Sequence, residues 1–123
     1  MEEKIKQFFQ GAGIEATEQL GSDAKILITV GETPYSLKIT KEREVNVEKD
    51  VNAIGDVEIR GRENIMSDLL SSSSMDEFSE KMISYIVDGR EPEVKILMKR
   101  TLENSGKFQR DYYYFLRKML LLR

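Results

Sequence analysis

The spacing of apolar residues between positions 24 and 60 is the feature that most constrains the fold of this chain. Apolar and polar side chains alternate there in four short runs. These runs are Ala24–Val30, Tyr35–Thr40, Glu44–Glu48 and Asp56–Arg60. A period of two is typical of strands that bury one face and expose the other. Because the connections are short, beginning with the four-residue turn at 31–34, the pattern favours an antiparallel meander of four strands over residues 24–60.

The period becomes helical after Arg62, which predicts two helices within residues 61–89. Ile65, Met66 and Leu69 lie on one side of the first helix. The second helix begins at the capping box Ser74-Met75-Asp76-Glu77, in which the serine hydroxyl accepts a hydrogen bond from the Glu77 amide and the carboxylate reaches back. Gly89 ends that helix, because glycine readily takes the left-handed conformation of a C-cap.

Three further segments complete the predicted domain. Residues 1–23 contain an N-terminal helix and a connector, residues 93–99 alternate as a fifth strand, and residues 107–122 form a C-terminal helix. A sheet that is wet on one face must cover the other face, and the amphipathic helices are the available cover. We therefore predict one α+β domain over residues 1–123, with a five-stranded, mostly antiparallel sheet covered on one face by helices in two layers.

The composition excludes most catalytic chemistry. The chain has 123 residues, and none of them is His or Cys. It therefore lacks the Ser–His and Cys–His nucleophile pairs, imidazole and thiolate metal ligands, and disulfides. We expect a protein that is not an enzyme and that uses no cofactor and no metal.

The apolar runs of the sequence are short. The first residues, Met1-Glu2-Glu3-Lys4, lack the apolar stretch of a signal peptide. The longest runs, Tyr112–Leu116 and Met119–Leu122, fall far below the roughly 20 residues that a membrane-spanning helix needs. We expect a cytoplasmic protein.

One motif resembles a phosphate-binding loop. Residues 11–16, Gly-Ala-Gly-Ile-Glu-Ala, match the Gly-x-Gly-x-x-Ala form of a dinucleotide loop. Such a loop requires a strand before it and a helix after it, within a βαβ unit. A charged amphipathic segment precedes it here, so we interpret the motif as the turn that ends the first helix.

Charge is distributed unevenly along the chain. Residues 1–94 carry 11 Lys+Arg and 20 Asp+Glu, whereas residues 95–123 carry 8 Lys+Arg and 2 Asp+Glu. The basic segment is also aromatic and apolar, which is typical of a helix that contacts an anionic surface. The overall net charge of −3 disfavours a general affinity for nucleic acid, so we expect no nucleic-acid partner.

The basic C-terminal helix leaves several interpretations open. It packs on the sheet with its cations paired to the acidic body, or it contacts a protein partner or a second copy of the chain, or it lies on an anionic membrane surface. A homodimer and a membrane are thus both candidate partners. The predicted interface residues are Arg110, Tyr114, Arg117 and Leu121.

The order of elements and their residues resembles the sterol carrier protein-2 (SCP-2-like) family. The resemblance covers residues 24 to about 120 and rests mainly on the four strand segments and on the passage from Asp56-Val57-Glu58-Ile59-Arg60-Gly61 directly into the helix Glu63–Leu70. A second helix, a further strand and a terminal helix follow, in the order found in that family.

The resemblance implies non-catalytic binding or carriage of a fatty-acyl or sterol-like molecule between the sheet and the helices. It implies the following lining residues: Met66, Leu70, Phe78, Met82, Ile86, Phe108, Tyr112, Phe115 and Met119. The alternative function is a protein-interaction or self-association module that acts through the basic, aromatic C-terminal helix.

Overall fold

The computed structural model describes residues 1–18, 23–88 and 93–120. Five strands and six α-helical segments follow one another within these described residues. They are α1 (Glu2–Gln10), α2 (Ile14–Thr17), β1 (Ala24–Val30), β2 (Thr33–Ile39), β3 (Val45–Lys49), β4 (Val57–Gly61), α3 (Glu63–Leu70), α4 (Met75–Asp88), β5 (Val94–Met98), α5 (Ser105–Lys107) and α6 (Tyr113–Leu120), with a π-helical turn, Phe108–Tyr112, between α5 and α6.

The strands form one sheet in the order β3-β2-β1-β4-β5. Three of the neighbouring pairs are antiparallel, and β1 and β4 are parallel. The sheet is therefore mostly antiparallel, and the predicted fold class is confirmed. The predicted four-strand meander is wrong, because only β1, β2 and β3 follow one another in that way.

The connection between β3 and β4 explains the parallel pair. The Asp50 amide donates to the Pro34 carbonyl at one end of the sheet, and the Asp56 amide donates to the Lys25 carbonyl at the other end. Residues 50–56 thus return along the sheet to the start of β1, so β4 runs in the direction of β1. Alternation indicates which face of a strand is buried, but it carries no information about the neighbouring strand.

The first hairpin is tighter than the sequence pattern predicts. Val30 pairs with Thr33, so the turn contains only two residues rather than four. Gly31 has a φ of +62°, a conformation that two-residue hairpin turns require and that glycine adopts without strain. β2 therefore begins at Thr33 and includes Pro34.

One face of the sheet carries the core, and the helices cover it. Register aligns Leu37, Ile26 and Val57 across three adjacent strands, and all three belong to one buried cluster with residues of the helices. On the opposite face most side chains are polar. Glu58 is buried there, where it accepts a hydrogen bond from the Thr29 hydroxyl at 2.8 Å and pairs with Arg60 at 2.9 Å.

The C-terminal helix is interrupted by its π-helical turn, where the sequence predicts one regular helix over residues 107–122. The last two of those residues lie outside the described chain. The turn places Phe108, Asp111 and Tyr112 in the interior, together with Phe115 and Met119 of α6. π-Helical turns occur frequently at functional sites in proteins. Along the described residues, none of the helices has the length and apolar character needed to cross a bilayer.

Candidate ligand site between the sheet and the helices

Eight of the nine residues predicted to line a ligand site lie together in the core. Each of these eight has at most 8% of its surface exposed: Met66, Leu70, Phe78, Met82, Phe108, Tyr112, Phe115 and Met119. The ninth, Ile86, is 40% exposed, and Ile83 and Val87 beside it on α4 are also exposed. The last turn of α4 therefore extends beyond the core, which explains why the structure does not bring Ile86 to this site.

The N-terminal helix supplies two aromatic rings that the sequence-based set missed. The Phe8 ring lies 4.9 Å from the Phe78 ring, and the Phe9 ring is stacked at 6.5 Å from the Phe115 ring, measured between centroids. The apolar side of α1 is the sequence feature that indicates that these two rings face inward. The family resemblance begins at residue 24, however, so α1 was not connected to the site.

The candidate residues are apolar except for the hydroxyl of Tyr112, which is hydrogen-bonded. The Tyr112 hydroxyl donates to Asp56 Oδ2 at 2.7 Å and accepts from the Lys25 amide at 3.1 Å. The Asn104 side-chain amide donates to the other Asp56 oxygen at 2.9 Å. Burial, and then the hydrogen bond to Asp56, raise the pKa of Tyr112, so this phenol stays protonated and acts as a donor.

The candidate set reaches the surface where α1 meets the α3–α4 connection. Leu70 and Phe8 line an open pocket of about 380 Å³ there, beside Lys4 and the serines of the connection. The Phe8 ring in turn packs on Phe78, inside the core. One ring of the aromatic cluster, Phe8, thus borders this pocket.

Comparisons with known proteins address the fold. No protein-family model and no curated protein matches the sequence. Among solved structures, one described as "UbiJ-SCP2 Ubiquinone synthesis protein" is similar with a TM-score of 0.51 and 14% sequence identity, over 98% of this chain and 86% of that chain. This chain has an SCP-2-like fold. The fold implied by the sequence resemblance is confirmed.

The SCP-2-like domain presents part of its C-terminal helix to solvent. Of the four predicted interface residues, Arg110 is exposed and Tyr114 is 43% exposed. Arg117 is half-buried, with its guanidinium 6.0 Å from the centre of the Tyr113 ring. Leu121 lies outside the described residues. The sequence analysis missed Tyr113, which is 52% exposed and packs edge-on against Tyr114.

The carboxylates of the SCP-2-like domain are dispersed. Within residues 1–18, 23–88 and 93–120, no three acidic side chains are placed to hold a metal ion. The dinucleotide-like motif at 11–16 forms the end of α1 and the start of α2, as interpreted from the sequence. The Gly13 amide donates to the Phe8 carbonyl at 2.7 Å, which is how that glycine turn ends the helix.

Proposed function

We propose that this protein binds and carries an apolar, lipid-like molecule between its sheet and its helices. The observation that carries the proposal is the core cluster of the SCP-2-like fold, in which three methionines and four aromatic rings of the candidate set lie together. The open pocket that Leu70 and Phe8 line beside this cluster supports an entry point for the ligand. Fatty-acyl and sterol-like molecules are the proposed ligand class.

The physical basis of such binding is burial of apolar area. Each Å² of apolar surface removed from water contributes about 25 cal/mol, so a long hydrocarbon chain binds without any polar motif. Met66, Met82 and Met119 are flexible and unbranched, and such side chains can repack around an incoming ligand. The Tyr112 hydroxyl forms the polar end of this set, and its hydrogen is already donated to Asp56.

The proposed role is non-catalytic. The chain has no His and no Cys, and the raised pKa of Tyr112 makes its phenolate inaccessible near neutral pH. A carrier needs only to bind and release its cargo, and the residues of the core suit that task. Turnover of a bound acyl ester that stops when one carboxylate is replaced, with the fold intact, would contradict this part of the proposal.

A fluorescently labelled fatty acid tests the binding site. Met82 has no exposed surface, so Met82→Phe fills the site from α4, whereas Val87→Phe adds the same ring at a position of the same helix that is 72% exposed. We expect Met82→Phe to weaken binding about tenfold or more, and Val87→Phe to bind like the wild type. Circular dichroism is the control that checks whether both variants fold. A folded wild-type protein without saturable binding would overturn the proposal.

The exposed aromatic pair favours a second function, self-association through α6. Tyr113 and Tyr114 pack against one another in water rather than in the core, and tyrosine is enriched at protein interfaces. Sedimentation velocity over a range of concentrations tests this function. A dimer that dissociates in Tyr114→Asp, while the circular dichroism spectrum is unchanged, supports it, and a monomer at every concentration contradicts it.

A further inference from the structure

We propose that the end of the sheet formed by residues 54–56 and 99–107 is a docking surface for an anionic membrane, with lipid phosphates in a lysine-lined pocket and two apolar side chains inserted beside it. We call this region the basic tip. It differs from the core site and from the exposed face of α6, and the inference does not depend on the proposed ligand.

Three lysines from separate parts of the chain line the pocket of the basic tip. Lys25 lies near the start of β1, Lys99 follows β5, and Lys107 ends α5. The pocket has a volume of about 390 Å³ and is open to solvent. None of these three ammonium groups pairs with a carboxylate within the described part of the chain, and Lys107 donates instead to the Asp23 carbonyl at 2.8 Å.

Two carboxylates also line this pocket, and one of them is already engaged. Asp56 accepts hydrogen bonds on both oxygens, from Tyr112 and from Asn104. Glu103 is exposed at the rim. Three ammonium groups thus line the pocket against two carboxylates, and both oxygens of Asp56 already accept hydrogen bonds from the protein.

Backbone hydrogen bonds hold the loops of the basic tip together. The Asp56 amide donates to the Lys25 carbonyl at 2.9 Å, and the Lys99 amide donates to the Asp56 carbonyl at 2.8 Å. The Asn104 side chain also donates to the Lys99 carbonyl and accepts from the Thr101 amide. The pocket is therefore formed in advance rather than assembled around a ligand.

Two large apolar side chains project into solvent at the same place. Leu102 is 98% exposed and Ile54 is 79% exposed. Ile54 lines the lysine pocket, and Leu102 lies between Thr101 and Glu103, which also line it. A single exposed apolar residue needs no explanation, but two beside a cluster of cations match the chemistry of a membrane surface, with phosphates above and hydrocarbon below.

This combination favours a membrane over other anions. A free phosphate or a nucleic acid would use the lysines but would offer no apolar medium to Leu102. Residues 1–94 carry a net negative charge, which further disfavours an extended polyanion such as nucleic acid. Arg100, which follows Lys99, is also exposed, and its guanidinium lies 5.8 Å from the centre of the Phe108 ring.

Vesicle co-sedimentation of the full chain tests the proposal. The probes are phosphatidylcholine vesicles with and without phosphatidylserine. We expect the wild type to bind only the anionic vesicles, and Lys99→Glu and Leu102→Ser each to weaken that binding about tenfold. The matched controls are Lys49→Glu, an exposed lysine at the other end of the sheet, and Val51→Ser, which is 78% exposed but does not line the pocket; both should bind like the wild type.

Three outcomes would overturn the proposal. One is a folded wild-type protein that does not bind anionic vesicles. Another is an equal loss of binding in the control variants. The third is binding of inorganic phosphate that Lys99→Glu abolishes, seen as amide shifts by NMR, without vesicle binding, because that result would assign the pocket to a free anion. None of these outcomes depends on whether the core binds a fatty acid.

Discussion

Tyr112 joins the apolar core to the polar end of the sheet. Its ring packs 4.9 Å from Phe108, and its hydroxyl connects the Asp56 carboxylate to the Lys25 amide. The side chain has no exposed surface, so water cannot replace these hydrogen bonds. The energetic importance of such a group lies in what its removal leaves unpaired.

Tyr112→Phe should therefore destabilise the fold. The substitution leaves a carboxylate oxygen and a backbone amide without their partner, at a cost of about 1–3 kcal/mol in the free energy of unfolding. Tyr113→Phe is the matched control, since its side chain is 52% exposed. Urea unfolding of both variants measures the difference. Equal stability of the two variants would contradict the role assigned to Tyr112.

We predict that Glu77 makes the stability of the fold depend on pH under acidic conditions. The hydroxyl and amide of Ser73, and then Lys81, lower the pKa of Glu77 from an ordinary 4.5 to about 2. A carboxylate whose pKa is lower in the folded state stabilises the protein above its unfolded pKa, and this stabilisation is lost as the pH falls through the folded pKa. The relevant window thus runs from about pH 4.5 down to about pH 2.

Glu77→Gln tests this linkage. Glutamine keeps an acceptor for Ser73 but cannot ionise, so the variant should be less stable than the wild type at pH 7 and should lose less stability between pH 4.5 and pH 2. Thermal unfolding followed by circular dichroism at a series of pH values measures both effects. If the two melting curves shift in parallel throughout the window, the pKa assigned to Glu77 is wrong.

At the scale of single elements, α6 has two clearly different faces. Phe115 has no exposed surface and stacks on Phe9, whereas its neighbour Tyr114 is 43% exposed. The Ser79 hydroxyl, itself buried, donates to the Lys118 carbonyl at 2.6 Å and joins α4 to this helix. The inward face of α6 is thus tied to both α1 and α4.

Alanine substitutions on the two faces of α6 should differ in their effect on the free energy of unfolding. Phe115→Ala removes a fully buried ring and should lower the free energy of unfolding by about 3–5 kcal/mol. Tyr114→Ala, one position along, should change it by about 0.5 kcal/mol or less. Chemical denaturation of both variants provides the comparison. A larger cost for Tyr114→Ala would mean that α6 faces the core with its other side.

Most helices and strands are predictable from local patterns, whereas the place of β4 in the sheet is not. The Ser74–Glu77 capping signal predicts the start of α4, and the Glu77 amide does donate to the Ser74 hydroxyl at 3.1 Å. The place of β4 beside β1 was missed, because alternation does not report strand neighbours. The π-helical turn was missed as well, since the apolar spacing of residues 108–119 is compatible with a regular helix.

The candidate site is also predictable only in part, because local patterns identify buried residues but not their partners. Apolar periodicity identifies residues that face inward, and eight of the nine candidates do so. It cannot identify Asp56 as the partner of Tyr112, because these residues are 56 positions apart and meet only in the folded chain. Nor can it distinguish Ile86 from Met82, since both follow the same helical stripe of α4.

At the scale of the whole molecule, the apolar core and the basic tip are two separate regions. The interior between sheet and helices is rich in methionine and aromatic rings, and Leu70 and Phe8 at its edge line an open surface pocket. The basic tip includes Asp56, which accepts the hydrogen bond from Tyr112, so it lies at the end of the sheet that Tyr112 contacts. A carrier with this arrangement would meet a membrane with the same end of the sheet that holds the polar end of its ligand site.

Native mass spectrometry of the freshly purified protein, compared with its mass after denaturation, tests the central claim most directly. The account predicts a folded chain that carries the added mass of one lipid, and this added mass disappears when the protein is denatured. A chain whose native mass equals its denatured mass, and which still forms no adduct after incubation with a fatty acid, would contradict it.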